Sequence, residues 1–224
     1  EEIFRVPMTW IPDAFLDWPW RFQDIFRNYL SATAFIPFWR WTGNTLRVTI
    51  LNVVLNVFVS SFIAYGFSRI RWRGRDIVFL FVLATLMLPA QVTMIPQFLI
   101  YNRFGWYNTL RPLWFPALFG NAFHIFLLRQ FFLTMPRERD EAAMIDGCGH
   151  FRIYGTIALP LIKPALAVVA VQTFQSAWNN FLGAYIYVNT KDKMTIALGL
   201  QWFKSEYASM YGEMMAASLL MTLP

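Results

Sequence analysis

Long apolar segments dominate this chain and limit the folds that are open to it. A membrane-spanning helix needs about 20 mostly apolar residues, because each residue adds only about 1.5 Å of rise. Residues 48–67, 77–100, 112–133 and 164–188 reach this length, and a fifth apolar segment starts at about 214. Within the four complete segments the only ionisable side chains of the Asp, Glu, Lys, Arg or His kind are His124 and Arg129. The sequence therefore predicts an all-α fold, a polytopic transmembrane helical bundle.

The composition excludes several other classes of protein. Hydrophobic residues make up 57% of the chain and charged residues 14%, whereas about a quarter of an ordinary soluble domain is charged. The net charge of +6 would suit nucleic acid only on a soluble basic face, and here the Lys and Arg residues lie between apolar segments. We therefore predict no nucleic-acid partner. Cys148 is the single cysteine, which excludes an internal disulfide and a cysteine-based zinc cluster, and we predict no metal site.

Arginines in the short connections predict the orientation, because cations are retained on the cytoplasmic side. Residues 68–76 carry four arginines and residues 129–163 carry four more with one lysine, so both regions are expected in the cytoplasm. Residues 1–47 are then an external loop, and residues 48–224 the transmembrane domain. A helical spacing of apolar residues over 22–30 predicts an interfacial helix in that loop. Its tryptophans suit the headgroup level: Trp10, Trp18, Trp20, Trp39 and Trp41.

The connection at 134–163 is too long for a simple turn. Thr134 is expected to cap a helix, and Gly147 to supply the left-handed residue that ends it. A second short helix from His150 should end before Leu159 and Pro160, because a residue that precedes proline is pushed out of the helical region. The sequence predicts a helix-turn-helix along the cytoplasmic face.

The spacing of residues in this connection resembles a known family. Glu141-Ala142-Ala143, then Gly147, Ile157 and Leu159-Pro160 match the EAA loop of binding-protein-dependent ABC importer permeases. Residues 127–132, Asp146-Gly147 and residues 178–182 are similar to the maltose-type carbohydrate branch. Compared with the six-span pattern of that family, the first span is absent from this chain and the last is truncated.

The resemblance implies a permease subunit that imports a carbohydrate across the bacterial or archaeal cytoplasmic membrane, as a multi-pass protein without enzymatic activity. Its expected partners are a second permease subunit, two ATPase subunits, an external solute-binding protein and membrane lipid. The chain has no phosphate-binding loop, so it binds no cofactor, and the partner ATPase uses ATP and Mg. The residues expected to dock on that ATPase are Glu141, Ala142, Ala143, Asp146, Gly147, Ile157, Leu159 and Pro160.

Other interpretations stay open on the residues alone. Glu141 could instead be a solvated carboxylate that pairs with Arg137 one turn earlier. The same family architecture could import a non-sugar polar solute. An ion-coupled secondary transporter and a membrane-embedded enzyme are both disfavoured, because the complete apolar segments contain no Asp or Glu.

Amides inside the apolar segments suggest a route for the solute, because polar groups at membrane depth need partners or water. Asn52 and Asn56 form one helical stripe with Ser60, and Gln172, Gln175 and Asn179 form another. Trp178 could offer a ring face to a sugar, and Asn180 is a further candidate. Such amides also hold helices together.

His124 is expected to be neutral and hydrogen-bonded through Asn121, and Pro89 and Pro96 are expected to bend or interrupt the second apolar segment. Residues 189–212 are expected to face the solute-binding protein.

Overall fold

The computed structural model describes residues 22–203 and 211–222, which form helices and short helical turns without any β-strand. Two compact units are present, one of residues 40–198 and one that combines the described residues before 40 with those after 198. The α-helices in chain order are α1 (Phe22–Phe35), α2 (Phe38–Arg69), α3 (Arg75–Ala84), α4 (Ala90–Arg103), α5 (Arg111–Trp114), α6 (Ala122–Thr134), α7 (Glu138–Ile145), α8 (His150–Ile153), α9 (Leu159–Leu161), α10 (Lys163–Trp178), α11 (Phe181–Tyr187), α12 (Ile196–Gly199) and α13 (Tyr211–Met221).

Among the described residues, α2 is the one unbroken helix that is long and apolar enough to cross a membrane. Three pairs of helical segments reach that length only together. Each pair is sharply bent: Arg75–Met87 with Ala90–Arg103 by 98°, Arg111–Thr134 with Glu138–Ile145 by 78°, and His150–Leu161 with Lys163–Trp178 by 80°. By length and composition the described chain thus holds between one and four spans. The helix that contains the first apolar segment starts at Phe38, ahead of that segment, so position 48 lies inside α2.

The second apolar segment is interrupted, as Pro89 predicted. α3 continues as a 3₁₀ turn over Thr85–Met87, and α4 begins at Ala90 after an extended Leu88 (ψ 117°). The residue before a proline avoids helical geometry, which accounts for the break at this position. Pro96 lies inside α4, away from the break.

The third and fourth apolar segments are also interrupted, which the sequence analysis did not predict. A 3₁₀ turn over Phe115–Phe119 ends at Gly120, whose φ of 73° is in the left-handed region that favours glycine. The fourth segment stops at Trp178 and restarts at Phe181. In both cases an asparagine side chain caps the next helix: Asn121 accepts from the backbone N–H groups of residues 123 and 124, and Asn180 from that of residue 183.

The core of the larger unit lies at the arginine-rich end of the helices. There α2, α3, α6, α7, α8 and α10 meet around Phe67, Leu128, Phe132, Ile153 and Val169, the last four of which are fully buried. α6 packs on both α3 and α10. This packing fixes where α7 and the turn beyond it are held.

The opposite end of the larger unit is held by hydrogen bonds to backbone carbonyls. Trp41 is fully buried, and its Nε1 donates to the Lys191 carbonyl at 2.6 Å. Asn44 donates to the carbonyls of Asp192 and Met194, both at 3.0 Å. The expectation of a headgroup-level ring is therefore wrong for Trp41, because a packed helix end takes the indole. Trp39 is 77% exposed, and Trp10, Trp18 and Trp20 lie outside the described residues.

In the smaller unit α1 packs against α13. Phe35 of α1 lies against Phe203, with ring centroids 5.6 Å apart. α1 coincides with the helix that was predicted from the apolar spacing over 22–30, whereas its place at a membrane interface stays a prediction.

Candidate functional site

The residues that match the EAA pattern lie in one helix, one glycine turn and one irregular helix, which together are called the EAA segment (residues 134–163) below. α7 ends in a Schellman motif: the Cys148 N–H donates to the Ala143 carbonyl at 2.9 Å, and the Gly147 N–H to the Met144 carbonyl at 3.0 Å. Gly147 has a φ of 81°. The predicted left-handed stop at Gly147 is confirmed.

The predicted start of this helix is wrong. Thr134 is the last residue of α6, and its Oγ1 donates to the Phe131 carbonyl at 2.8 Å. α7 begins at Glu138, after Arg137, without a side-chain cap. A threonine that bonds back to a preceding carbonyl fits a helix interior or end as well as a cap, so the residue type alone did not decide between the two helices.

The second helix of the segment also differs from its prediction. It does not end before Leu159, because a π-helical turn over Tyr154–Ala158 leads directly into α9 (Leu159–Leu161). A π turn changes the hydrogen-bond register of a helix and moves the carbonyls that the ring of Pro160 would otherwise meet. The proline is thus accommodated inside a continuous but widened helix.

The motif residues divide between two faces of the EAA segment. Ala143 is 7% exposed, and Ile157 and Leu159 are partly buried against the core. The others are exposed: Glu141, Ala142, Asp146, Gly147 and Pro160. The buried set anchors the segment, and the exposed set is available to another surface.

Apolar side chains also lie on the exposed face, which the EAA pattern did not predict. Ile145 is 87% exposed, Phe151 78% and Met144 45%. Large apolar side chains grouped on a charged connection are typical of an interaction surface. The sequence does show that these three apolar residues lie within four positions of the turn at Gly147, and this proximity could have indicated an apolar patch at the turn.

Two neighbouring acidic residues of α7 have different environments: Glu141 is exposed, and Asp140 is buried in an ion pair. Among the described residues no ion pair links Glu141 to Arg137, so Glu141 is an exposed carboxylate without that partner. Asp140 is instead 8% exposed, and its Oδ2 lies 3.2 Å from Nη1 of Arg69. Asp140 was not among the residues predicted from the sequence. Its spacing of three residues from the buried Ala143 was the available indication of an inward face.

Arg129, inside the third apolar segment, has partners at the same end of the bundle. Its guanidinium lies over the ring of Phe79, 4.2 Å from the centroid, and Nη2 is 3.4 Å from Oδ1 of Asp76. Nε donates to the Phe67 carbonyl at 3.4 Å. The ring, the carboxylate and the carbonyl together explain how a cation is accommodated so near an apolar helix.

A polar cavity of about 210 Å³ lies between α2, the Gly120 break, α6 and α10. Asn52, Asn56, His124, Ser176 and Asn180 are among its lining residues. Two helix interruptions border it, which fits the rule that irregular backbone at membrane depth is tolerated where it lines a cavity or is buried in protein. The structure thus brings together three of the predicted route residues, Asn52 and Asn56 from the α2 stripe and Asn180 from the connection after α10.

Most hydrogen-bonding groups of the α2 stripe have partners within the chain. The Nδ2 of Asn52 donates to the carbonyls of Val48 and Leu113, at 2.9 and 3.0 Å. The Oδ1 of Asn56 accepts from Ser60 at 3.0 Å and lies 2.8 Å from Nδ1 of His124. His124 therefore bonds to Asn56 on a neighbouring helix rather than through the side chain of Asn121, which caps its own helix.

The second stripe lies on the surface of α10. Gln172, Gln175 and Asn179 are exposed. Gln172 also hydrogen-bonds the side chain of His124, and Asn179 donates to the Gln175 carbonyl at 2.9 Å. Trp178 is 6% exposed and stacks on Phe174 with centroids 5.5 Å apart, so it does not offer an open ring face here.

Within residues 22–203 and 211–222, no group of three or more His, Cys, Asp or Glu side chains is close enough to hold a metal ion.

A family described as "Binding-protein-dependent transport system inner membrane component" matches residues 56–224, which include the EAA segment and the bent helices around it. The chain belongs to this family. The resemblance seen in the EAA pattern and the all-α permease fold are thereby confirmed. A member of this family is an inner-membrane transport subunit.

Individual relatives of the chain are also permease proteins of transport systems. The arabinooligosaccharides transport system permease protein AraQ of Halalkalibacterium halodurans is 33% identical over 187 residues, covering 84% of this chain and 67% of that protein. The lactose transport system permease protein LacG of Rhizobium radiobacter is 32% identical over 203 residues, covering 91% of this chain and 72% of that protein. The chain thus spans about two thirds of the length of these relatives.

A solved structure has the same fold. The crystal structure of a bacterial ABC transporter involved in the import of the acidic polysaccharide alginate contains a chain that matches with a TM-score of 0.74 and 26% identity. The match covers 87% of this chain and 72% of that one.

Proposed function

We propose that this inner-membrane component is a multi-pass permease subunit of an ATP-driven importer of carbohydrates. The support for a sugar comes from relatives whose names refer to arabinooligosaccharides and lactose, and from the alginate importer. In this proposal the chain works with a second permease subunit, two ATPase subunits and an external solute-binding protein. ATP and Mg are used by the ATPase subunits, and this chain carries out no bond chemistry.

The observation that carries the proposal is the two-faced EAA segment. Its inner face is fixed to the bundle through Ala143, and its outer face presents Glu141 and the apolar Ile145. A helix held in this way can receive a partner surface and pass a displacement to the helices behind it. We propose that the cytoplasmic ATPase docks here, and that its closure selects the outward-open state of the permease. Because a ligand shifts an equilibrium only by binding two states differently, the ATPase must contact this face differently in the two states.

The exposed amides of α10 are the proposed solute route. Amides that faced lipid would lose hydrogen bonds at a cost of several kcal/mol each, so this surface needs water, a solute or a second subunit. Planar amides suit the hydroxyl groups of sugars. Gln172, Gln175 and Asn179 are therefore assigned to the route, while Asn52 and Asn56 mainly hold α2 to its neighbours.

The test uses the full-length chain reconstituted in liposomes with its second permease and ATPase subunits and its solute-binding protein. We expect sugar uptake that requires ATP, and no uptake under an ion gradient alone. Glu141→Lys should abolish the solute-stimulated ATP hydrolysis, because the charge reversal falls on the docking face. Glu138→Lys is the matched control, with the same charge change on an exposed residue of the same helix, and it should retain most activity. Uptake driven by ions without the ATPase, or unchanged stimulation in Glu141→Lys, would contradict the proposal.

A further inference from the structure

One buried arginine joins α2 to the hinge between α6 and α7. Arg69 is the last residue of α2, and its side chain is 4% exposed. Its Nη2 donates to the carbonyls of Phe132 at 2.5 Å and Met135 at 2.9 Å, and its Nη1 lies 3.2 Å from Oδ2 of Asp140. The same guanidinium thus holds the end of α6, the residue after that helix, and α7 itself.

The location of these partners gives the contact a mechanical consequence. The chain bends by 78° between the helices that end at Thr134 and start at Glu138. Arg69 bonds on both sides of this bend, so α7 cannot swing relative to α6 without moving or breaking the bonds to the end of α2. A guanidinium suits this position, because its planar fork donates several bonds in fixed directions.

Packing alone does not explain the choice of a buried ion pair. Replacing such a pair by apolar residues of similar volume is often neutral or stabilising. This pair is also incompletely satisfied, since Nε of Arg69 and Oδ1 of Asp140 have no hydrogen-bond partner in the described structure. A charged contact with spare donor and acceptor atoms can change its bonds as the helices move, whereas an apolar contact has no such directional bonds.

We infer that Arg69 and Asp140 form a transmission latch, through which a displacement of α7 is passed to α2. Both are positioning residues: Asp140 points away from the docking face that carries Glu141, and neither residue needs to touch the ATPase or the solute. This inference rests on the proposed function, because it assumes that a partner displaces α7.

The test compares transport with ATP hydrolysis in the same reconstituted complex. Asp140→Asn keeps the size of the side chain and removes its charge, and we expect the solute transported per ATP hydrolysed to fall about fivefold or more. ATP hydrolysis itself should continue, because the docking face is intact. Asp140→Glu keeps the charge and should restore part of the ratio. The matched control is Glu138→Gln, which removes the same charge from an exposed residue of the same helix that forms no ion pair with Arg69, and it should couple as the wild type does.

A purely structural role would lower the yield of the assembled complex and leave the ratio per complex unchanged, which would overturn the inference. If the Asp140→Asn complex does not assemble, the Arg69→Lys complex is measured instead, because lysine keeps the positive charge but lacks the planar fork of the guanidinium. A lowered ratio of solute transported to ATP hydrolysed in Arg69→Lys supports the latch. A wild-type ratio, or a failure of this variant to assemble, refutes it. The proposed function fails separately, if the wild-type complex itself shows no ATP-dependent uptake.

Discussion

Two amide side chains on different helices of the bundle have opposite environments. Asn56 is 8% exposed and bonds to both Ser60 and His124. Gln175, on α10, is exposed. An amide with buried partners holds helices together, and an exposed amide is available to a solute. Both side chains carry an amide group, so only their packing distinguishes a structural role from a solute-binding role.

This contrast gives a paired prediction. Asn56→Ala leaves the buried His124 and Ser60 without their shared acceptor, which should cost about 1–3 kcal/mol and lower the thermal unfolding temperature of the purified subunit. The solute concentration for half-maximal uptake should change little. Gln175→Ala should do the reverse and raise that concentration severalfold without a thermal shift. If Gln175→Ala changes neither quantity, the route does not run along this surface of α10.

Three residues show which structural roles can be predicted from the sequence and which cannot. Gly147 was predictable, because the left-handed turn at a helix end has a strong residue preference. Asp140 was not, because a carboxylate beside other charged residues looks solvated until the fold brings Arg69 against it. Trp41 was wrongly expected at the headgroup level for a related reason. Its hydrogen bond to the Lys191 carbonyl spans 150 residues, and no local pattern reports such a contact.

At the scale of elements, the apolar segments predicted where helices lie but not how they are divided. Pro89 predicted one interruption, because proline restricts its own backbone and that of the residue before it. The interruptions at Gly120 and at Asn179–Asn180 depend on asparagine caps and on neighbouring helices that border the polar cavity. These are tertiary effects. The same holds for the π turn at Tyr154–Ala158, which carries the helix past a proline that would otherwise end it.

The end of α7 allows a prediction about one element. Gly147→Ala places a Cβ at a φ of 81°, which should cost about 1–2 kcal/mol and loosen the turn that orients the docking helix. Solute-stimulated ATP hydrolysis should fall, while the amount of assembled complex is maintained. Gly149→Ala is the matched control, since it lies two residues away, has a φ of −75° and likewise has no atom within 4 Å of the added Cβ. Equal losses in the two variants would show that the left-handed turn is not what matters.

At the scale of the whole molecule, the sequence predicted the class of fold and the family. The long apolar segments and the complete EAA spacing were sufficient, because both depend on local residue order. The arrangement of the EAA segment into an anchored inner face and an exposed outer face needed the structure. Exposure of Ile145 and burial of Asp140 on the same helix follow from how α7 is held, with Asp140 against Arg69 of α2 and Ala143 in the core.

The central claim is that a separate ATPase binds the outer face of the EAA segment. The most direct measurement incorporates a photo-crosslinking amino acid at position 145, which is 87% exposed, and irradiates the assembled complex. Position 87 serves as the control, because Met87 is similarly exposed, at 83%, but lies at the break of the second apolar segment. We expect a crosslink to the ATPase subunit from position 145, with a yield that changes when Mg–ATP is added, and none from position 87. No crosslink from position 145, or an equal one from position 87, would contradict it.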